Sequence, residues 1–231
     1  MIRAIGFDLD NTLFDHTEAA AEAMRRLIHE KNWKYIGDSS VGEEWHRVET
    51  LYFSQYAAGI MTLVEHRRAR MRVFLESTDA ANSAHDFDEL WNAYLVHYAK
   101  SWVAYPDAHQ SLTELKASGL KMAVLTNGQQ AQQEAKLKAI GLADMFEGCL
   151  AIGTVEALKP DPRAFDQLCK LLECEPNEVL FVGDDIDIDV RASINAGLRG
   201  VWLNRDDLET PSDIGVQIQM LSELNTHIKP W

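Results

Sequence analysis

The sequence predicts an α/β protein: a parallel sheet flanked by helices, with a long all-helical insertion after the first strand. Three observations carry this reading. Short apolar runs at 2–7, 121–126, 149–152, 178–182 and 200–203 are bounded by polar or turn residues, as strands buried on both faces are. Helical patterns lie between the later runs, which is the spacing of βαβ units rather than of hairpins. From about 17 to 98 the helical period continues with no strand pattern, so this stretch reads as an insertion.

The first strand runs into Asp8-Leu9-Asp10-Asn11-Thr12-Leu13. Side chains on a strand alternate, so Asp8 and Asp10 project from the same side. Two such acids at the end of a buried strand are costly unless cations or a metal neutralise them. Thr17 is placed as the N-cap of a helix carrying Ala20, Ala23, Met24, Leu27 and Ile28. Further helices are predicted at about 42–57, 61–77 and 86–99, with stripes such as Trp45, Val48 and Leu51, or Leu90, Trp91 and Tyr94. Arg67, Arg68, Arg70 and Arg72 cannot all face one way, so most are read as a solvated face.

The texture changes at Tyr105. Pro106 opens a helix with Leu112 and Leu115 that stops at Gly119, and a strand over 121–126 ends in Thr126-Asn127-Gly128. A helix over 129–140 and a strand at 149–152 follow, then Lys159-Pro160 before a helix with Phe165, Leu168 and Leu172. The strand at 178–182 ends in Gly183-Asp184-Asp185, with Gly183 read as the residue that lets the chain turn sharply. A helix is predicted over 187–196, a strand over 200–203, and a last strand-and-helix fragment in the tail from Ser212.

The composition narrows the function. With 231 residues, 46% of them hydrophobic and 25% charged, the chain has the make-up of a globular domain or a domain plus a module. No apolar run approaches the ~20 residues of a membrane span, and no secretory signal is visible, so the expected location is the cytoplasm. Cys149, Cys169 and Cys174 form no CxxC pair and are read as reduced, packed thiols. A net charge of −14 argues against a nucleic-acid polymer or an anionic membrane as partner, but not against a small phosphorylated substrate. The expected assembly is a monomer or homodimer.

In parallel sheets ligands bind beyond the carboxyl ends of the strands. Asp8, Asp10, Thr126, Asn127, Asp184 and Asp185 follow strand ends and Lys159 lies in the loop after the third strand, so the topology converges them on one edge. The Asp-x-Asp-x-Thr segment, strand-end Thr126, Lys159 followed by proline, and Gly183-Asp184 with Asp189 resemble the four ordered motifs of the haloacid dehalogenase-like (HAD) phosphohydrolases. The resemblance covers the core from Ile2 to about Leu203 and implies a Rossmann-like core at 1–15 and 99–231, with a helical cap at 16–98. Ile188 departs from the asparagine often found before the last acid, which bears on the surroundings of the metal only.

What the resemblance implies can be assigned residue by residue. Asp8 is the nucleophile that forms an aspartyl-phosphate. Asp10 is the general acid that protonates the leaving alkoxide and then deprotonates water. The Thr126 hydroxyl and the Asn127 backbone N–H hold phosphoryl oxygens, and Lys159 neutralises the phosphoryl group and Asp8. Asp8, Asp184 and the Asp10 backbone carbonyl coordinate the metal, and Asp189 orders metal-bound waters or the lysine. The donors are all oxygens, which selects Mg²⁺ over zinc. Asp185 and Asp187 read as an acidic loop and a helix N-cap.

The function expected is a phosphomonoesterase acting on a small metabolite. Phosphoglycolate or sugar phosphatase, sugar-phosphate mutase, 2-haloacid dehalogenase and a non-catalytic binding protein are the alternatives. Dehalogenases of this family lack the second aspartate, because halide needs no leaving-group acid, so Asp10 argues against them. The Gly59-Ile60-Met61-Thr62 turn and the Leu125-Thr126-Asn127-Gly128 stretch are similar to the pyrimidine 5′-nucleotidase branch, which makes a nucleoside 5′-monophosphate the first substrate expected. The cap is expected to set specificity, with Asp15, His16 and the 59–62 turn the first positions to examine.

Overall fold

A computed structural model describes residues 1–228. The chain divides into two compact units, Met1–Asp15 with Val103–Trp231, and His16–Trp102.

The first unit is built on β1 (Ala4–Phe7), β2 (Lys121–Gln129), β3 (Cys149–Ile152), β4 (Val179–Gly183), β5 (Arg199–Leu203) and β6 (Gln217–Ile218). Among the described residues these form one parallel sheet in the order β3-β2-β1-β4-β5-β6, the α/β arrangement the sequence predicts. β1 is central and wholly buried, which is why Ala4-Ile5-Gly6-Phe7 carries no polar side chain. Phe7 lies opposite both Val124 and Val182. That register puts Asp8 one step past the pair, with Thr126 and Asp184 two steps past it on the neighbouring strands. The helix after β3 packs Ala164, Phe165, Leu168 and Leu172 into a core with Ala4, Leu125 and Phe181.

Two of the predicted element bounds shift for a physical reason. The helix after Pro106 starts only at Ala108, with Asp107 as N-cap but without a side-chain cap bond. The Asp107 carboxylate is taken instead by Arg205 and by the Leu221 amide, 2.8 Å from Oδ2. The helix predicted over 187–196 is a wide π-type turn, Ile186–Arg191, followed by a short helix, Ala192–Asn195. Asp185 makes this turn. Its side chain accepts from the amides of Asp187 and Ile188, both at 2.8 Å, and its carbonyl accepts from Asp189 and Val190. The widened turn carries Asp189 inward, to 2% exposure.

The second unit consists of α1 (His16–Glu30), α2 (Val41–Ala57), α3 (Leu63–Leu75) and α4 (Phe87–Ala99). Ser40 and Thr62 form capping boxes with Glu43 and Glu65, and Asp86 caps α4. Thr17 is no cap: α1 begins at His16, so Thr17 lies inside its first turn. Trp45 is the hub, in ring contact with Phe74, Trp91 and Tyr94, and its Nε1 donates to the Tyr94 hydroxyl at 3.2 Å. Burying a side chain of this kind contributes roughly 1.5–3 kcal/mol or more.

Of the arginine run, Arg68 and Arg72 are exposed and Arg67 is half-buried, in keeping with a mostly solvated face, and Arg70 is the one that turns inward. It is buried at 5% exposure, its guanidinium lies over the rings of Trp45 and Trp91, and its Nη2 is 2.7 Å from Glu49 Oε1. Glu49 also holds His16 Nε2 at 3.0 Å, while His16 Nδ1 meets the Tyr98 hydroxyl, so both ring nitrogens of His16 are engaged within this unit. Burial opposes ionisation of Glu49, yet Arg70 and His16 together hold its carboxyl well below the usual range.

His66, stacked on Tyr56, is likewise buried. Burial, reinforced by Arg70, holds its pKa down to about 4 from 6.5. The unfolded chain therefore takes up the proton first, so this stabilising contribution is complete above about pH 6.5 and declines toward about pH 4. His66→Phe keeps the ring but cannot titrate, so its melting temperature should fall less between pH 7.5 and pH 5 than that of the parent. Equal falls in thermal melts would contradict the assignment.

Candidate active site

Asp8 follows directly from β1, and its backbone N–H donates to Val182 O at 2.9 Å. Its carboxylate meets Lys159, whose Nζ donates to Asp8 Oδ1 and Asp189 Oδ1, each at 2.6 Å. Asp184 lies beside them. One carboxylate oxygen from each of Asp8, Asp184 and Asp189 falls within 4.8 Å of the others. Thr12 Oγ1 donates to Asp184 Oδ1 at 3.3 Å, and Trp202 Nε1 donates to the Asp184 carbonyl at 2.9 Å.

The electrostatics follow from the count of charges. Burial pushes the Asp8 carboxyl up to about 7, against the pull of Lys159. Burial, with Asp8 and Asp189 nearby, raises Asp184 well above the carboxylate range, and burial raises Asp189 as well. Lys159 is also penalised by burial, but Asp189 and Asp8 more than offset this and hold it protonated. Two buried carboxylates, Asp8 and Asp189, and the half-buried Asp184 around one ammonium leave an excess of negative charge. The donors are hard oxygens throughout, a set that fits Mg²⁺. No thiol competes, since burial keeps Cys149 protonated, with its pKa raised to about 12.

Gly183 has a different reason from the sharp turn expected of it. A Cβ there would sit 2.1 Å from Asp189 Oδ2, so the missing side chain is what lets Asp189 approach. Asn127 also does more than offer its amide. Its side chain donates from Nδ2 to Lys159 O at 2.7 Å and accepts from Lys159 N at 2.9 Å, pinning the lysine backbone at both polar groups. Asp187 is exposed and pairs with Arg191, and Asp185 caps the π-type turn; neither belongs to the three-carboxylate group.

Asp10 stands apart from Asp8 in its partners. Lys136 Nζ donates to Asp10 Oδ1 at 2.5 Å, and Gln133 Nε2 donates to Asp10 Oδ2 at 2.9 Å. The same Gln133 nitrogen donates to Thr126 Oγ1 at 2.9 Å. Sequence reasoning missed both residues. They belong to the helix Gln130–Ala139, where Gln133, Lys136 and Leu137 are the buried side chains. Their i, i+3, i+4 spacing is the one signal that could have found them: the only marked apolar position on that face, Leu137, has polar neighbours.

The haloacid dehalogenase-like hydrolase family matches residues 2–197. The chain belongs to this family. A phosphoserine phosphatase of Thermus thermophilus is 34% identical over 88% of this chain and 81% of its own length. An (S)-2-haloacid dehalogenase 4A of Burkholderia cepacia is 30% identical over 96% and 93%. A pyrimidine 5′-nucleotidase of Escherichia coli is 26% identical over 91% and 89%. Among solved structures, a HAD-hydrolase of Bacillus subtilis superposes with a TM-score of 0.83 at 21% identity, over 98% of both chains. The fold is therefore that of HAD hydrolases, and the relatives support a phosphatase-type hydrolase within a family that also contains dehalogenases.

Proposed function

We propose that the protein is a Mg²⁺-dependent phosphomonoesterase that carries the phosphoryl group on Asp8. The observation that supports this most is the division of cations between the two acids: Lys159 on Asp8, and Lys136 with Gln133 on Asp10. An attacking carboxylate alone suffices to displace halide. Cleavage of a phosphate ester also needs a proton for the alkoxide, and a second, separately held carboxylate meets that need.

In the first step an Asp8 carboxylate oxygen attacks phosphorus in line, the ester P–O bond breaks, and Asp10 gives its proton to the leaving oxygen. In the second, Asp10 takes a proton from water, the water oxygen attacks phosphorus, and phosphate leaves as Asp8 is restored. Thr126 Oγ1 accepts from Gly128 N at 3.3 Å and from Gln133, so its own hydrogen is directed to another acceptor, a phosphoryl oxygen. The Asn127 N–H is the second donor, and Lys159 balances the charge gathered at Asp8 and the phosphoryl group. Asp8, Asp184 and the Asp10 carbonyl would hold Mg²⁺, with Asp189 fixing Lys159; the ion would supply neutralisation of the phosphoryl oxygens.

A nucleoside 5′-monophosphate is the proposed substrate, with the pyrimidine 5′-nucleotidase among the relatives and the Gly59–Thr62 turn in support. Selectivity is assigned to the His16–Trp102 unit, which carries none of the phosphoryl-transfer residues. The cytoplasm is the proposed location, in keeping with three free cysteines; no helix of the described residues is long and apolar enough to cross a membrane. The test is a panel of nucleotides, sugar phosphates, phosphoglycolate and 2-haloacids, with phosphate and halide release measured in parallel. Phosphate release that is largest on nucleotides is expected. Halide release without phosphatase activity would replace this reading with the dehalogenase one.

A further inference from the structure

We propose that Gln133 and Lys136 are positioning residues that hold the Asp10 carboxylate in the orientation for proton transfer and couple it to the phosphoryl-binding hydroxyl of Thr126. The inference rests on the phosphatase reading of Asp8 and Asp10 and goes beyond it, because neither residue touches the reacting phosphorus.

Four observations carry it. The Asp10 carboxylate receives one donor on each oxygen, Lys136 on Oδ1 and Gln133 on Oδ2, which fixes the plane of the group. Second, the two Gln133 Nε2 hydrogens are both committed, one to Asp10 and one to Thr126, so a single amide sets the acid and the phosphoryl donor together. The amide nitrogen must face Asp10, because its oxygen would repel the carboxylate.

Third, the surroundings give way to this arrangement. A Cβ on Gly128 would lie 2.0 Å from Gln133 Nε2, so a glycine is needed there for the amide to reach in. Fourth, the arrangement is costly. Gln133 is fully buried, and its Oε1 has no hydrogen-bond partner among the described residues. Lys136 is 1% exposed, with Nζ 4.9 Å from the centre of the Phe14 ring. A helix selected for stability alone would present apolar side chains on this face; residues that break that rule mark a functional demand.

The experiment compares p-nitrophenyl phosphate with phenyl phosphate, two esters of nearly the same shape whose leaving groups differ in their need for a proton. Kinetic constants are measured with Mg²⁺ for the parent, Lys136→Met and Gln133→Ala, and for both substitutions in an Asp10→Asn background, with thermal melts to show that each variant is folded. The kcat loss in Lys136→Met should be about 10- to 100-fold greater on phenyl phosphate than on p-nitrophenyl phosphate, with KM little changed. Gln133→Ala should show the same bias. In the Asp10→Asn background both substitutions should add no further leaving-group dependence. Equal losses on the two esters, or an unchanged bias in the Asp10→Asn background, would overturn the positioning role while leaving the phosphatase reading intact. A parent enzyme inactive on both esters would overturn the phosphatase reading, and the positioning role with it.

Discussion

Asp8→Asn is expected to abolish phosphatase turnover, with a loss on the order of 10⁶-fold, the scale seen when a covalent nucleophile is removed from an enzyme that otherwise still binds. The fold should survive. Asn has the same shape, and Lys159 keeps its second partner, Asp189 Oδ1 at 2.6 Å, so no buried ammonium is left without a carboxylate. The Asp8 N–H bond to Val182 is made by the backbone and is unaffected. Steady-state kinetics and a thermal melt on the same preparation check both halves. Near-normal rates in the variant would remove Asp8 from the mechanism.

The second large effect concerns the metal. Treatment with EDTA should remove activity, and added Mg²⁺ should restore it. Asp184→Ala should remove activity or shift the Mg²⁺ requirement sharply upward. The physical reason is the surplus of carboxylates: Asp8, Asp184 and Asp189 converge within 4.8 Å, and among the described residues Lys159 is the cation paired with them. A cation that binds the folded form stabilises it by about 2.7 kcal/mol at a hundred times its Kd, so Mg²⁺ should also raise the melting temperature of the parent. Asp184→Ala should show a much smaller rise. Ca²⁺ should support turnover poorly, because it takes more ligands in a looser geometry. Full activity in thoroughly chelated enzyme would exclude the metal from the reaction.

Much of this was legible in the sequence because strand ends are legible. A buried parallel strand is an apolar run, and the residue that breaks the run is close to where the sheet edge lies. Asp8, Thr126 and Asp184 are found in that way, and the register of β1 with β2 and β4 brings them within one residue of the same level at the sheet edge. Lys159 was found from its loop and the following proline, and it closes on Asp8 across 151 residues of sequence.

What was missed depends on burial that has no local signature. Lys136 and Gln133 sit in a helix of glutamines, lysines and alanines that reads as a polar surface, and their partner Asp10 is more than 120 residues away. For the same reason the periodicity says that the four arginines cannot all face solvent alike but does not single out Arg70; Trp45, Trp91 and Glu49, drawn from two other helices, make its burial tolerable. The π-type turn at Ile186–Arg191 was read as ordinary helix because its cause, the Asp185 side chain and carbonyl, is a matter of hydrogen-bond choice rather than periodicity. Gly183 was assigned to a turn, whereas the close approach of Asp189 is visible only in three dimensions.

The central claim is that phosphoryl transfer passes through the Asp8 carboxylate, and acid-quenched peptide mapping tests it most directly. Enzyme turning over a phosphomonoester in Mg²⁺ is stopped with acid within a turnover, digested, and the peptide containing Asp8 is weighed by mass spectrometry. The account predicts a fraction of that peptide heavier by one phosphoryl group, with the label on Asp8, absent without substrate and absent in Asp8→Asn. Turnover at full rate with no phosphorylated Asp8 at any quench time, or with the phosphoryl group on another residue, would contradict it.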